Sequence, residues 1–337
     1  MITPTSSPEL SHVPVMLDEV IKICSPSKGG IYIDCTFGGG SYSEKLLKYS
    51  NTKVIALDRD SLIIKISDRL KKKYPERFTF YQKKFSEVNT VFPSQSVDAI
   101  VFDLGLSLIQ LNDFKRGFSF NSKEKLDMSM GLSVISAQEV VNNFSEQNLK
   151  SIIKILGEEK DASKIAKNIV KARLRGNIEK VDQLVKIIEQ SKKQKYKNKI
   201  NPSTKTFQAL RIFVNKEITE LVKGIINATK LLKPGGKLLV ISFHSIEDKI
   251  VKFFFSNFST NKSKPSRYFP ENNESNIFLF ENYKNESLKP KDKEVIKNPR
   301  SRSAKLRYAI RSKHKFIYPY EFEIKFKRYL DLENVYV

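Results

Sequence analysis

IYIDCTFGGG, residues 31 to 40, is a β-branched and aromatic run that ends in an acid and then gives way to three glycines. Ile31, Tyr32 and Ile33 suit a buried central strand. Gly38, Gly39 and Gly40 free the backbone to take positive φ and let a ligand approach it closely. Ser41 to Leu47 then restart as a helix. A strand feeding a glycine turn and a helix N-terminus is the nucleotide-binding corner of doubly wound α/β sheets, although an ordinary glycine turn reads the same way.

Spacing separates two cofactors at this corner. A dinucleotide fingerprint requires G-x-G-x-x-G, and the third glycine position is Ser43, which weakens an NAD oxidoreductase reading. What stands here is D-x-x-x-G-x-G, from Asp34 through Gly38 to Gly40, which resembles the first motif of S-adenosylmethionine (SAM) methyltransferases. The next run, Lys53 to Leu57, ends in Asp58. A carboxylate at the tip of a second strand can accept hydrogen bonds from both hydroxyls of a ribose, a sugar common to NAD and SAM, or can simply be a solvated strand end.

Length and charge bound the rest. A chain of 337 residues exceeds the usual single domain, so one core with an insertion, or two domains, is expected. The net charge of +23 points toward a polyanion, and RNA, DNA or an anionic membrane would each serve. Because the chain is rich in Lys, Asn and Ile, biased composition alone could also raise the charge. Cys24 and Cys35 are the only cysteines and His12, His244 and His314 the only histidines, so neither a disulfide framework nor a multi-histidine metal site is expected. The start of the chain lacks the pattern of a signal peptide and no run is apolar for the roughly 18 residues of a membrane span, so the expectation is a soluble, cytoplasmic protein.

In chain order, residues 1 to 11 read as disordered, and a helical pattern follows around Val15 to Ile23. After Asp58 come a charged amphipathic helix (Leu62 to Leu70), a third strand (Phe78 to Tyr81) and a fourth (Val97 to Phe102) that ends in Asp103. Strands alternating with helices predict a parallel sheet, with ligands outside the strands' carboxyl ends. Asp103 therefore faces the reaction space. Phe85 follows the third strand, where the adenine of a nucleotide cofactor would lie, though such a residue is also ordinary core. From Gln110 the alternation stops. Ser145 caps a helix carrying Leu149, Ile152, Ile153 and Leu156, with Gly157 as its stop. Ala162, Ile165, Ala166, Ile169 and Val170 stripe a second helix, and Val181, Leu184, Val185 and Ile188 a third. The basic run Ser191 to Lys199 reads as a solvated loop, with contact to phosphate as the alternative. Thr204 to Leu232 reads as one long helix, Pro234-Gly-Gly236 as a turn, Lys237 to Ile241 as a fifth strand, and Ser256 to Lys297 as a long flexible excursion.

HVPVMLDEV, DCTFGGG, ALDRD, DLGLS, Arg116-Gly-Phe-Ser-Phe120, Leu126-Asp-Met128, Gly157-Glu-Glu159, Pro202 to Ile212, SFHSIED and NPRSRSAKLR stand in one order from His12 to Arg307. As a set they closely resemble the 16S rRNA cytosine-N4 methyltransferases, the RsmH or MraW family. The resemblance implies a Rossmann-like α/β SAM-binding sheet domain in two pieces, 1–112 and 203–315, an inserted all-helical substrate-recognition domain at 113–202, and a tail at 316–337 with no assigned role. It also implies methyl transfer from SAM to the exocyclic N4 of a cytidine in the decoding region of 16S rRNA, with rRNA, within the small ribosomal subunit, as partner. An amino-methyltransferase of other specificity and a non-enzymatic rRNA-binding assembly factor are the alternatives.

Carried over by motif, the SAM contacts implied are Gly40, Ser41, Tyr42, Asp58, Phe85, Asp103 and Gln110. The chain departs from the family at Ser41, where the turn usually keeps a glycine, and at Ser129, where an arginine is common. The lone pair of cytosine N4 is delocalised into the ring, so the site must align N4 and accept a hydrogen bond from it as it becomes tetrahedral. Asp103 is the acid placed for that catalytic role, or it holds the cofactor. No cysteine nucleophile is needed, which leaves Cys24 and Cys35 as bystanders. Arg116, Arg300 and Arg302 are candidates for holding the RNA backbone and His244 for a base contact, while Arg116 and Arg300 could equally be internal salt-bridge partners.

Overall fold

The computed structural model describes residues 14–192, 201–261 and 277–335. Helix α1 (Leu17–Cys24) precedes strand β1 (Gly30–Asp34), α2 (Ser41–Leu47), β2 (Thr52–Asp58), α3 (Ile64–Lys73), β3 (Phe78–Gln82) and β4 (Val97–Asp103). A short α4 (Leu108–Asn112) leads into α5 (Ala137–Asn143), α6 (Glu146–Leu156), α7 (Ala162–Arg173) and α8 (Val181–Ser191). Then follow α9 (Thr204–Asn215), α10 (Glu217–Leu231), β5 (Leu232–Ser242), α11 (Ser245–Asn257), α12 (Asp292–Lys297), β6 (Lys305–Ile310) and α13 (Tyr320–Glu333).

The sheet order is β3-β2-β1-β4-β5-β6. β1 pairs in parallel with both β2 and β4, so the chain order reverses between β1 and β4, which is where α/β sheets open a ligand crevice. The expected Rossmann-like sheet is present, with one difference: β6 runs antiparallel to β5. Alternate residues of each central strand enter opposite layers. Ile33, Ile55, Leu57, Ile100 and Phe102 join the core under α10 and the inserted helices, whereas Tyr32, Val54, Ala56, Ala99 and Val101 pack with α1 and α2.

The helical stripes read from sequence are buried, except that Val170 and Val185 are only partly covered. Ser145 Oγ accepts from Asn148 N at 3.1 Å to cap α6, and Leu149, Ile152, Ile153, Leu156, Ile165, Ala166, Leu184 and Ile188 are wholly enclosed. They form one continuous core with that face of the sheet rather than a separate one.

Several expectations are corrected. The long helix from Thr204 is two, broken at Lys216, which adopts φ 51°. Asn215 holds the break: Nδ2 donates to Met128 O and Arg211 O, and Oδ1 accepts from Met130 N and Ser133 Oγ. Pro234-Gly-Gly236 does not precede the fifth strand but bulges within it, because Leu232 already pairs with Val97 before Lys237 pairs with Ala99. Of the expected flexible excursion, 277–297 is ordered: Leu279, Phe280 and Tyr283 are buried, and Leu288 bridges Leu306. Its central part, 262–276, lies outside the described residues, as do 193–199 of the basic run and His12.

The tail is a core element. Phe322 and Phe326 of α13 pack against Phe253, and the Glu333 carboxylate caps α10, accepting from Ile218 N at 2.9 Å and from Thr219 N at 2.7 Å. No helix among the described residues is long and apolar enough to cross a membrane.

Candidate active site

A cavity of about 360 Å³ opens over the carboxyl ends of β1, β2, β4 and β5. Its β1–β3 side is lined by Phe37, Gly38, Gly39, Ser41, Tyr42, Asp58, Lys83 and Phe85. Its β4–β5 side carries Asp103 to Leu108, Phe243, Arg211, Asn298 and Arg300. Of the residues selected from sequence, Ser41, Tyr42, Asp58, Phe85, Asp103, Gln110 and Arg300 meet at this wall; Gly40, Arg116, His244 and Arg302 do not.

The glycine turn explains the first half. Gly38 sits at φ 49° and donates its N–H to Asp58 Oδ2 at 2.8 Å, so the acid at the tip of β2 braces the turn at the tip of β1. Asp58 Oδ1 accepts from Asp60 N at 2.9 Å. Each oxygen still has lone-pair capacity for a further donor. Burial pushes this carboxyl up to about 6, against the pull of the two backbone donors. Gly40, at φ 76°, faces the other way: a Cβ there would lie 2.8 Å from the Phe37 ring. Beneath the turn, Asp34 is fully buried and accepts from Ser43 Oγ at 2.7 Å, which ties β1 to α2. Phe85 stands edge-on to Phe102 with ring centres 5.4 Å apart, in space left by Gly224, where a Cβ would come within 2.7 Å of the ring.

Asp103 ends β4 and is held from two sides. Its N–H donates to Thr36 Oγ1 at 2.7 Å, and its Oδ2 accepts from the Tyr42 hydroxyl at 3.2 Å. The same hydroxyl lies 2.5 Å from Val15 O, so its single proton is shared between the two acceptors. Asp103 Oδ1 is buried with no hydrogen-bond partner among the described residues. Burial raises this carboxyl to about 8; the Tyr42 hydroxyl pulls it down and Asp34, Glu247 and Glu294 push it further up. A buried oxygen left short of a donor is costly, and a ligand N–H supplies one.

Gln110 lines the cavity with both ends of its amide engaged: Nε2 donates to Asp60 Oδ2 at 2.8 Å and Oε1 accepts from Ser107 N at 3.1 Å. Arg116 takes the internal alternative, pairing with Asp60 and donating to Ser129 O at 2.6 Å. Burial works against Asp60, but Gln110 and Arg116 outweigh it and hold the carboxyl below the usual range. His244 is spent on the N-cap of α11, its Nδ1 accepting from Glu247 N at 3.5 Å, so the ring does not reach the cavity while Phe243 beside it does. Arg300 and Arg302 are both exposed, and only Arg300 borders the cavity. Cys35 borders it too, but burial drives its thiol far above the ordinary range, which removes it as a nucleophile.

Glu217, His244 and Glu247 bring ligand atoms within 4.8 Å of one another. Glu217 is engaged at both oxygens by Arg211, and His244 uses Nδ1 for the cap while its Nε2 lies 3.1 Å from Glu247 Oε1.

The residues fit SAM. Asp58 offers carboxylate acceptors a ribose would suit, Gly38 an open backbone where an added Cβ would meet nothing nearer than 3.7 Å, Phe85 an aromatic ring on the wall, and Asp103 a buried carboxylate oxygen with no hydrogen-bond donor among the described residues. Thr36, Phe243 and Arg211 line the cavity and Gly224 makes room for Phe85, yet none of the four stands out in the sequence as a site residue. Thr36, Phe243 and Arg211 lie within the quoted motifs, and Thr36 and Phe243 also stand just beyond the ends of β1 and β5, which are the signals that could have singled them out; Gly224 sits inside a helix and carries neither.

Residues 9–312 match the model of the MraW methylase family. The chain is 42% identical over 304 residues to the ribosomal RNA small subunit methyltransferase H of Rickettsia akari, covering 89% of this chain and 98% of that one. It is 41% identical over 303 residues to the protein of the same name from Ehrlichia canis, covering 88% and 98%.

Proposed function

Because the chain belongs to the MraW methylase family, we propose that it methylates the exocyclic N4 of a cytidine in small-subunit rRNA, using SAM, with the assembled small subunit as its setting. SAM, when bound, supplies an electrophilic methyl group on a sulfonium. Asp58 holds the ribose, the turn at Gly38 and Ser41 admits the cofactor's backbone-facing edge, and Phe85 with Lys83 borders the base. Residues 1–112 and 203–315 carry this work, and 113–202 meets the RNA.

The observation that carries the reading is the unpartnered Asp103 Oδ1 at the tip of β4, between the two halves of the cavity. An acceptor there takes a hydrogen bond from the N4 amine, which restores lone-pair density to a nitrogen conjugated with its ring. Tyr42 fixes the other carboxylate oxygen and so aims Oδ1. The target base must be unpaired or extruded, since N4 takes part in Watson–Crick pairing. Arg300 at the mouth, with Arg302 on the adjoining surface, holds the flanking phosphates.

Mass mapping of modified cytidines in small-subunit rRNA from cells with and without this protein tests the reaction; an unchanged map refutes it. Titration calorimetry with SAM and with NAD tests the cofactor, and heat with NAD alone would return the site to an oxidoreductase.

A further inference from the structure

Arg211 reaches the cavity wall from the last turns of α9, and the reaction above gives it no task. Its guanidinium is splinted by Glu217 across the chain reversal at Lys216: Nε donates to Oε1 at 2.8 Å and Nη2 to Oε2 at 2.9 Å. A two-pronged pair fixes the plane of the fork and leaves its remaining donors pre-aimed. Among the described residues Nη1 donates to no protein acceptor, and it is not among the sealed, unsatisfied atoms. It is therefore a rigid, accessible donor at a ligand cavity.

Phe243 adds an apolar face nearby. It follows β5 directly, its N–H is held by Glu247 Oε2 at 2.8 Å, and its ring lies against Gly105, where a Cβ would stand 3.5 Å from Cδ2. Arg211, Asp103 and Phe243 line the same cavity, so donor, acceptor and aromatic face border one ligand space. Asp103 and Phe243 stand at the carboxyl ends of β4 and β5, while the end of α9 is tied to the tip of β2 by Arg59 Nη1, which donates to Asn215 O at 2.9 Å.

We propose that Arg211 donates a hydrogen bond to N3 of the target cytosine while Phe243 covers the ring, so that Arg211 and Asp103 together read the base. The proposal rests on the methyl-transfer reading above. Cytosine presents an N–H donor at position 4 beside a bare acceptor at N3, which complements a carboxylate beside a guanidinium. Uracil reverses both polarities, with an oxygen facing Asp103 and an N–H facing Arg211. A site built to satisfy two polar atoms rejects a base that leaves both unpaired far more strongly than one that differs only in size.

The test pairs a side-chain change with a base change. Small-subunit rRNA is ligated with the target position as cytidine or as 3-deazacytidine, which keeps the N4 amine but replaces N3 by C–H, and is assembled into small subunits before the assay. The wild-type protein should lose on the order of tenfold to a hundredfold in kcat/KM on the 3-deaza substrate. Arg211→Met should lose a similar factor on cytidine and little more on the 3-deaza base, because the same hydrogen bond is already gone. If the two losses multiply, Arg211 does not touch N3 and the proposal is overturned. Should Arg211→Met be misfolded by its melting curve, Arg211→Lys is carried through the same cycle. Should it be folded but inactive on both substrates, the affinities of the two assembled substrates for the variant, read by fluorescence anisotropy, replace the rates with the same two outcomes. Wild-type protein that binds SAM but modifies no cytidine refutes the methyl-transfer reading itself, whatever Arg211 does.

Discussion

Asp58→Ala is the most direct perturbation of the cofactor half of the cavity. In the folded chain the Asp58 carboxylate accepts from Gly38 N at 2.8 Å and from Asp60 N at 2.9 Å, which leaves its other lone pairs for two ribose hydroxyls. Losing two charge-assisted ligand bonds, partly replaced by water, costs about 2 to 4 kcal/mol, roughly a 30-fold to several-hundred-fold rise in Kd for SAM. The variant also frees two backbone N–H groups, so unfolding free energy should fall by about 1 kcal/mol for each. Asp58→Asn should lose comparable affinity, because its amide NH2 must face one of those N–H donors. Burial raises the Asp58 carboxyl to about 6, and ribose hydroxyls favour the ionised form. Wild-type affinity should therefore weaken below pH 6, approaching tenfold per pH unit, while Asp58→Asn shows no such limb. Titration calorimetry from about pH 5 to pH 7.5, with urea melts to confirm folding, reads all of this. An Asp58→Ala protein that is folded and binds SAM within about threefold of wild type would refute the cofactor assignment and the reasoning from the turn.

Asp103→Asn should lower kcat by on the order of a hundredfold or more while leaving a folded protein that binds RNA. With the carboxyl raised to about 8 by burial, the wild-type rate should climb as pH rises toward 8, and the variant's profile should lose that limb in single-turnover assays. Glu333, raised to about 8 chiefly by burial from an unfolded value near 4.5, contributes stability that is full below the lower value and lost as pH rises through the higher. Urea melts at about pH 5 and about pH 8.5 should thus differ less for Glu333→Leu than for wild type, and equal differences would show that Glu333 is not the source. Replacing Arg300 and Arg302 together by Gln should weaken RNA binding and reduce the slope of log K against log salt by about one for each phosphate no longer neutralised, with SAM binding unchanged. A wild-type slope in the double variant would place the RNA path elsewhere.

The central strands and the inserted helices were legible because each follows a period that burial enforces. Ile33 and Tyr32 face opposite layers, and Leu149, Ile152 and Ile153 share one stripe, whatever their distant partners are. The breaks were not legible, because their causes are tertiary. Lys216 is no glycine, yet it takes φ 51° because Asn215 satisfies four groups around the reversal and Glu333 caps the next helix from more than a hundred residues away. Pro234-Gly-Gly236 carries turn chemistry, but the pairing of Leu232 with Val97 absorbs it into a strand. Strand direction leaves no trace in a hydrophobic alternation either, so β6 could be read as a strand but not as an antiparallel one.

The site divides along a similar line. Asp58 and Asp103 could be placed from sequence because a residue at a strand's carboxyl end has its position set by the sheet, and the sheet's reversal between β1 and β4 brings those ends together. Long side chains carry no such constraint. Arg116 and Arg300 both stand near motifs and both are basic, and only the neighbourhood separates them. Arg116 pairs with the buried Asp60, so its guanidinium is neutralised inside the fold and shapes the wall through Asp60 and Gln110. Arg300 has no ion-pair partner among the described residues and borders the cavity mouth, where its charge stays available. An arginine can hold a phosphate only if no nearer carboxylate has claimed it, and that competition is decided by the folded structure.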